Sequence, residues 1–542
     1  MSELFEQLKK KRKISDDFLC PKYDDCIDPF ILPDMNKIIN RIEEAKKKKN
    51  KILIYGDYDV DGITASVVLF DTLKLVGIQD ILIMLPNRFS DGYGMSKKVI
   101  QKAKKENVDL IISVDCGSAN FEIVDELSKA GIDVIITDHH ECSEELPNAL
   151  AVLNPKRKDF SGPECLRDLA GVGVAFEVAR ALTEKGLIKN GQEKWLLDLV
   201  LIGTICDSMN ISEENRRLTY FGMKVLKKTR RAGLKELMKV CQAKKIDSEL
   251  IGFRIGPRLN AAGRMVAAEK ALELLLEENE AIAAKMAVEL NDLNGERKKQ
   301  QDKASKEILS GMDNENNPVI VVKGKWHEGI LGIVAGRLTE ECQKPSIVLA
   351  EIRDELKGSG RSFGDFNLAE ALNACQDTII SGGGHAAACG VKVLPDKFDD
   401  FKKEINKYHR SLKLENQEKY LIKDADLEVS ELSDFNSEFM EEVSELEPFG
   451  GGNEEPVFLL KNVFVTDVRR MGNNGEHLRL QVRGDDGKEL KNVAFFAKEE
   501  WFEIENGQRI DVWINLTENE WNGTKNVEGR ILKIGLVEDA IF

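Results

Sequence analysis

The 542-residue chain has no stretch approaching the ~18 uninterrupted apolar residues that a membrane span requires, so no membrane partner is expected. Its 10 cysteines are scattered from Cys20 to Cys389 without a CxxC pair, which argues against a thiolate metal site and for reduced thiols. The opening MSELFEQLKKKRK carries charge but no apolar run behind it, so no signal peptide is read and a cytoplasmic protein is expected. Histidine is scarce, at 6 residues, and basic charge is in deficit: 94 Asp and Glu against 78 Lys and Arg leave −16. Taken over the whole chain, that acidity disfavours a phosphate-bearing partner. Fixed-period repeats and low-complexity linkers are absent too. What is present is an ordinary globular composition, 42% apolar. A single core rarely grows past roughly 250 to 300 residues, so this length implies several domains.

From Lys51 to about Asn154, short β-branched runs (KILIYG, DILIML, VDLIISVD, IDVIITD, ALAVLN) alternate with helical pieces such as ITASVVLFDTLKLVG and FEIVDELSKAG. That alternation predicts a parallel α/β sheet covered by helices, with ligands gathered at the carboxyl ends of its strands. From about Ala170 to Met312 the pattern is mostly helical, and the Ala/Glu/Lys/Leu-rich stretch from Ala267 to Leu309 reads as a long connecting helix. Strand signals return in PVIVVKG and PSIVLAEI, with glycine clusters at GSGRSFG and SGGGHAAACG, so a second α/β domain is expected up to about Lys413. Beyond Pro456, five strand-like runs (VFLLKNVFVTDVRR, HLRLQVRGDDG, NVAFFA, IDVWINLTENEW, ILKIGLVED) suggest a small β-barrel, an OB fold first among the candidates.

The sharpest chemical signal is Tyr55-Gly56-Asp57-Tyr58-Asp59-Val60-Asp61-Gly62, where the first buried strand ends. Three alternate carboxylates there would repel one another and resist ionisation unless a cation is present, and hard oxygen ligands suit Mn²⁺ or Mg²⁺. An EF-hand loop would need Glu twelve positions into the motif, where Val68 stands, so that reading fails. Asp115 ends a later strand, Asp138, His139 and His140 end another, and Asp207 lies in an apolar segment. Singly these are ordinary caps or core residues. At successive strand ends of one parallel sheet they would share a cleft, and carboxylates with one or two imidazoles suit a pair of divalent ions.

These motifs, with LPNRFSDGYG, GPRLNAAGRM, KWHEGILGIVAGRL, GSGRS and SGGGHAAACG, resemble those of the DHH phosphoesterase superfamily and within it the RecJ family of single-strand-specific 5′→3′ exonucleases. The resemblance implies an α/β protein: a parallel-sheet DHH domain (1–220), a long-helix linker (221–312), a DHH-associated (DHHA1) α/β substrate-binding domain (313–413), then an acidic segment and a C-terminal OB-type β-barrel (414–542). It implies a hydrolase with two divalent cations, Mn²⁺ or Mg²⁺, held or bordered by Asp57, Asp59, Asp61, Asp115, His139, His140 and Asp207. Asp115, Asp138 and His140 are the catalytic candidates. One imidazole would hold metal while the other faces the scissile phosphate, His140 as general acid; Asp138 would act directly or by orienting a histidine ring. Tyr55 stands where several relatives carry a metal-proximal histidine, which speaks against a ligand there. The implied substrate is single-stranded DNA, in recombination and repair; a helicase or single-strand-binding protein is the expected partner, and a monomer the expected state.

Arginine forks and glycine-rich turns suit phosphate. Arg88, Arg258, Arg264, Ser359 and Arg361 are therefore candidates for holding the backbone or a terminal 5′-phosphate, and Gly383, Gly384, His385 and His327 for the substrate surface of the second domain. Trp326 would pack in the core or stack on a base, and Phe464, Arg469, Arg470, Arg479 and Arg483 are weaker barrel contacts. Three rivals share parts of the pattern: a short-oligonucleotide or cyclic-dinucleotide phosphodiesterase, a pyrophosphatase, and a non-catalytic replication scaffold. The charge deficit proves local, since residues 421–542 hold 27 acidic and 13 basic residues. Between Asp424 and Glu455 there are 12 acids and no Lys or Arg. The catalytic region is nearly neutral, and the acidic stretch reads as a solvated helical face or a contact for a basic partner.

Overall fold

In the computed structural model, residues 2–536 are described apart from 93, 313–316, 413, 415–423, 473–474, 496 and 522–523. The expected boundaries at 312/313 and 413/414 therefore abut residues outside this set, as does the end of ILKIGLVED. The chain divides into two compact units, one made of Ile27–Asp207 and Gly222–Tyr420, the other of Met1–Cys26, Ser208–Phe221 and Leu421–Phe542.

The larger unit opens with a five-stranded parallel sheet built from β1 (Ile52–Tyr55), β2 (Ile81–Met84), β3 (Leu110–Val114), β4 (Asp133–Thr137) and β5 (Ala151–Leu153). The five apolar runs form these strands because β1 and β3 are buried throughout, so both faces of each need apolar side chains. The spatial order is β2-β1-β3-β4-β5. The chain steps one way from β1 and then back past it to β3, so the crevice between their carboxyl ends is the topological switch point, where such sheets bind ligands.

The stretch from Ala267 to Leu309, expected as one helix, is two: Glu269–Leu276 and the 32-residue Glu280–Gly311. Asn279 makes the break, its side chain accepting from the backbone of Ala281 and Ile282 as an N-cap. The second domain carries β6 (Ile320–Gly324), β7 (Ser346–Ile352), β8 (Glu355–Arg361), β9 (Ser381–Gly384) and β10 (Ala388–Val393), ordered β6-β7-β8-β10-β9. The expectation of a turn at GSGRS is thereby corrected. GSGRS and the SGGG run lie on antiparallel strands, in which the missing side chains leave a flat backbone surface. GPRLNAAGR is likewise a helix, Gly256–Met265, with Pro257 directly after the wide turn Leu250–Ile255 that leads into it.

In the smaller unit, β11 (Leu427–Val429) runs parallel to β12 (Phe458–Met471), which is followed by β13 (His477–Arg483), β14 (Glu489–Ala494), β15 (Arg509–Trp521) and β16 (Thr524–Leu536). The order β12-β13-β14-β16-β15 closes through a β12–β15 pairing, giving the expected five-stranded barrel. Its core includes Leu4, Phe5, Leu8 and Leu19 from the N-terminal segment. Most carboxylates of the acidic stretch are exposed, Glu431, Asp434, Glu438 and Glu441 among them, but Asp426 accepts two hydrogen bonds of 2.7 Å from Arg12, and Glu442 accepts from the Ser2 backbone. Arg216 is buried here and donates to the carbonyls of Phe18, Glu445, Leu446 and Glu447.

Candidate metal centre

The carboxylates converge at the β1/β3 switch point. Asp57 leaves the end of β1 and Asp59 caps helix Val60–Val76, its Oδ1 accepting from Gly62 N at 3.0 Å. Asp61 lies in the first turn of that helix and is fixed by a second helix N-terminus, accepting from Gly171 N at 2.6 Å and Val172 N at 2.9 Å. Asp115 follows β3 with φ of 59°, a left-handed conformation that aspartate adopts more readily than most residues. Gly171 is required beside it, because a Cβ there would stand 2.6 Å from the Asp115 Cβ. The expectation that strand ends supply every ligand is corrected at Asp207, which caps the C-terminus of the buried helix Leu197–Cys206. Its apolar segment is helical because a short buried run does not by itself distinguish helix from strand.

Three groups of ligand atoms lie within 4.8 Å of one another: Asp57, Asp59 and Asp115; Asp61, His139 and Asp207; and Asp115, His139 and His140. Asp115 and His139 each belong to two. Asp57 Oδ1, Asp115 Oδ1 and both His139 ring nitrogens are buried without a hydrogen-bond partner among the described residues. Burial and the neighbouring Asp59 push Asp57 up to about 8 and Asp61 up to about 7. Burial, Asp61 and Asp59 push Asp207 up to about 8, and burial, with Asp61 and the other carboxylates around it, raises Asp115 well above the carboxylate range. Burial and the adjacent His140 push His139 down to about 3, which leaves a neutral imidazole able to ligate. Orphaned oxygens, clustered carboxylates and a neutral imidazole fit hard divalent cations.

Asp138 differs from the other aspartates. Its Oδ1 accepts from the His139 and His140 backbone and lies 2.9 Å from His140 Nδ1, while Oδ2 accepts from Ser118 N. Burial opposes its ionisation, but the hydrogen bond and charge of His140 outweigh it and hold the carboxyl well below its usual range. The same contact holds His140 above the usual imidazole value despite burial. Asp138 thus belongs to none of the ligand groups and orients His140. Tyr55 is likewise turned away, its hydroxyl donating to Gly94 O at 3.1 Å.

Tyr58, between two of the ligand candidates, also lines a cleft of about 550 Å³ with Arg88, Phe89, Arg264, Lys357, Ser359, Arg361, Gly383 and Lys392. Arg88 stacks over the Tyr58 ring at 4.8 Å. Burial, with Arg88, Arg297 and Arg361 nearby, pushes Arg264 down to about 9, the mark of cations gathered with too few anions. The floor is the glycine-rich β8–β10–β9 surface.

Three separate segments match known families: residues 51–204 the DHH family N-terminal domain, 316–411 the DHHA1 domain, and 424–533 the RecJ OB domain. Against the single-stranded-DNA-specific exonuclease RecJ of Haemophilus influenzae the chain is 32% identical, over 93% of its own length and 90% of that protein's. The chain belongs to the RecJ family. It is 35% identical to RecJ of Bacillus subtilis, spanning 66% of that protein's length. RecJ from Thermus thermophilus in complex with Mn²⁺ superposes with a TM-score of 0.83 at 28% identity, covering 98% of this chain and 76% of that one. An exonuclease RecJ bound to manganese gives 0.63 at 31% identity, covering 72% of this chain and 97% of that one.

Not every expected RecJ-type contact reaches the cleft. Arg258 faces the linker, donating to Asn291 Oδ1 and to the Arg254 carbonyl, because it lies on a different side of its helix from Arg264. His327 caps a helical turn, its Nδ1 accepting from Gly329 N, and packs edge-on to Phe89. Gly384 has φ of 146° and closes the β9–β10 hairpin, whose next residue, His385, is exposed and bonded through its backbone to Ala388. Neither lines the cleft. Trp326 packs against the core under the long helix. On the barrel, Arg469 and Arg479 pair with Asp467, Arg483 pairs with Glu489, and Arg470 lies over Phe502, while Phe464 is half-buried on β12. Sequence reasoning missed Tyr58, Phe89, Lys357 and Lys392. Only the position of Tyr58 between Asp57 and Asp59 could have pointed to one of them.

Proposed function

We propose that this chain hydrolyses single-stranded DNA from its 5′ end, releasing nucleotides with the help of two divalent cations, Mn²⁺ or Mg²⁺. The observation that carries the reading is the arginine-lined cleft opening through Tyr58 directly beside the buried carboxylates. Asp57, Asp59 and Asp115 would hold one cation, and Asp61, His139 and Asp207 the other, with Asp115 and His139 bordering both. Such a pair supplies charge neutralisation and a nucleophilic water at neutral pH.

Arg88, Arg264 and Arg361, with Ser359 and the glycine floor, hold the terminal 5′-phosphate. That phosphate sets the strand's direction and places the first internucleotide phosphate over the carboxylates. Water's oxygen bonds to phosphorus as the bond to the 3′-oxygen of the first nucleotide breaks. His140, kept charged by Asp138, gives a proton to that departing oxygen. The shortened strand keeps the phosphate on its new 5′ end, so it can enter the same cleft again. The reading extends to a monomeric cytoplasmic enzyme of recombination and repair, with a helicase or single-strand-binding protein supplying its substrate.

Digestion of 5′- and 3′-labelled single strands with Mn²⁺ or Mg²⁺, beside duplex and Asp115→Ala controls, tests this. Stepwise loss from the 5′ end is expected. Preferential release from the 3′ end would overturn the polarity, and activity surviving Asp115→Ala would overturn the metal assignment.

A further inference from the structure

Phe253 is the most exposed large hydrophobic side chain among the described residues, at 76%. A phenyl ring held in water on a well-formed element is costly to keep, since burying it would return about 2 kcal/mol or more. It is carried on a π-helical turn, Leu250–Ile255, that leads without interruption into helix Gly256–Met265. Wide turns of this kind are rare and recur at functional sites.

Two contacts place this turn beside the metal centre. Cys206, the residue before Asp207, directs its Sγ to the Ile251 carbonyl at 4.0 Å, and a Cβ on Gly256 would come within 2.5 Å of that sulfur. Seven residues on, a Cβ on Gly263 would meet the Tyr58 carbonyl at 2.9 Å. The helix therefore lies along the site, from the Asp207 end to the phosphate cleft. Phe253, Pro257, Asn260 and Arg264 recur at i, i+4, i+7 and i+11, which is one helical face. The last three are half-buried. Arg264 thus marks the phosphate end of a face whose other end, about 16 Å away at 1.5 Å per residue, is the exposed phenyl ring.

Charges of both signs flank the ring along the chain, Asp247 and the exposed Glu249 preceding it. Lys244 and Lys245 are exposed in the preceding turn, and Arg254 follows directly. An exposed aromatic face beside a nuclease centre, with Lys244 and Lys245 exposed in the flanking chain, has the chemistry that stacks a base of a single strand.

We propose that Phe253 is a stacking platform for a base of the strand on the 3′ side of the scissile phosphate, a few nucleotides beyond the terminal phosphate held near Arg264. The proposal rests on the nuclease reading above. It adds a residue that holds the outgoing strand without touching the reacting atoms. Because stacking needs only a π-face, Phe253 contributes grip without sequence preference.

The test compares steady-state kinetics of the full chain in Mn²⁺ on a 5′-phosphorylated 20-mer and on a 5′-phosphorylated dinucleotide too short to reach Phe253. Phe253→Ala and Phe253→Leu should raise KM for the 20-mer roughly five- to a hundredfold, the range for losing one stacked base, with kcat and the dinucleotide unchanged. Phe253→Trp should keep the wild-type KM. A 20-mer with one abasic nucleotide, scanned along positions two to six, should at one position raise the wild-type KM as much as Phe253→Ala does, and there the two losses should not add. Equal losses on both substrates, no loss on either, or a Leu variant as good as wild type would overturn the proposal. Failure of the wild-type chain to cut either substrate would instead overturn the nuclease reading and this inference with it.

Discussion

His139 Nε2 stands 3.1 Å from Asp115 Oδ1, and neither atom has a hydrogen-bond partner among the described residues. Asp115 is 1% exposed and His139 4% exposed, so water does not compensate them. Two buried polar atoms held this close would be favourable together with a cation nearby, which fits the proposed metal role of both residues.

Asp115→Asn should accordingly act in opposite directions with and without metal. In Mn²⁺ it should lower kcat by roughly 10²–10³-fold or more, since charge stabilisation at the reacting phosphate is lost. In EDTA it should raise the melting temperature by about 2–4 °C, because the unfolded chain no longer gains from ionising a carboxyl that the folded chain keeps protonated. Calorimetry in both buffers reads the sign. A lower melting temperature in EDTA would show that Asp115 is held by contacts other than metal.

The stability gained from metal should depend on pH. In the folded, metal-free chain Asp57, Asp61 and Asp207 ionise near 8, 7 and 8, whereas unfolded aspartates ionise near 3.9. Between about pH 4 and 8 the folded state therefore binds more protons than the unfolded state, and metal-free stability falls as pH rises. Cations favour the ionised carboxylates and remove that loss. The melting temperature in Mn²⁺ minus that in EDTA should grow from pH 5.5 to pH 8. A constant difference would count against the cluster.

Two arginines of one helix should behave differently. Arg264→Ala should raise KM for 5′-phosphorylated strands about 10- to 100-fold, the loss of a charged hydrogen bond, and have little effect on strands with a 5′-hydroxyl. Arg258→Ala should leave kcat/KM within about threefold and cost about 1–2 kcal/mol in denaturant unfolding, since its guanidinium joins Asn291 and the Arg254 carbonyl. Equal kinetic effects would place Arg258 in the cleft after all.

Arg216 is a structural cation. Its guanidinium serves four carbonyls and lies 4.2 Å from the Phe18 ring centroid, and burial pushes it down to about 10. Arg216→Met should destabilise the barrel unit by about 2–4 kcal/mol by leaving buried carbonyls unsatisfied. Cleavage of a dinucleotide should be unaffected, which denaturation and single-turnover assays on one preparation can separate.

The strands and the clustering of the candidate ligands were legible because both are written locally. Buried parallel strands need continuous β-branched runs, and Asp57, Asp59, Asp61, Asp115, His139 and His140 directly follow three of them. The chain order alone also announced the barrel, from its alternating runs. The rest depends on what lies opposite each residue. Asp138 looks like one more carboxylate until four donors around it show that it orients His140. Arg258 and Arg264 look equivalent until a helix, where turns were expected, sends one to Asn291 and the other to the cleft. Asp426 and Glu442 look like two more charges of a solvated acidic stretch until Arg12 and Ser2, more than 400 positions earlier, are found against them, while Glu431, Asp434, Glu438, Glu441 and Glu445 face solvent as expected. The sequence by itself determined which chemistry the chain can perform, because ligand type and strand pattern are properties of neighbouring residues. Only the tertiary structure decided which charges face the substrate, because that depends on partners brought close by packing across hundreds of positions.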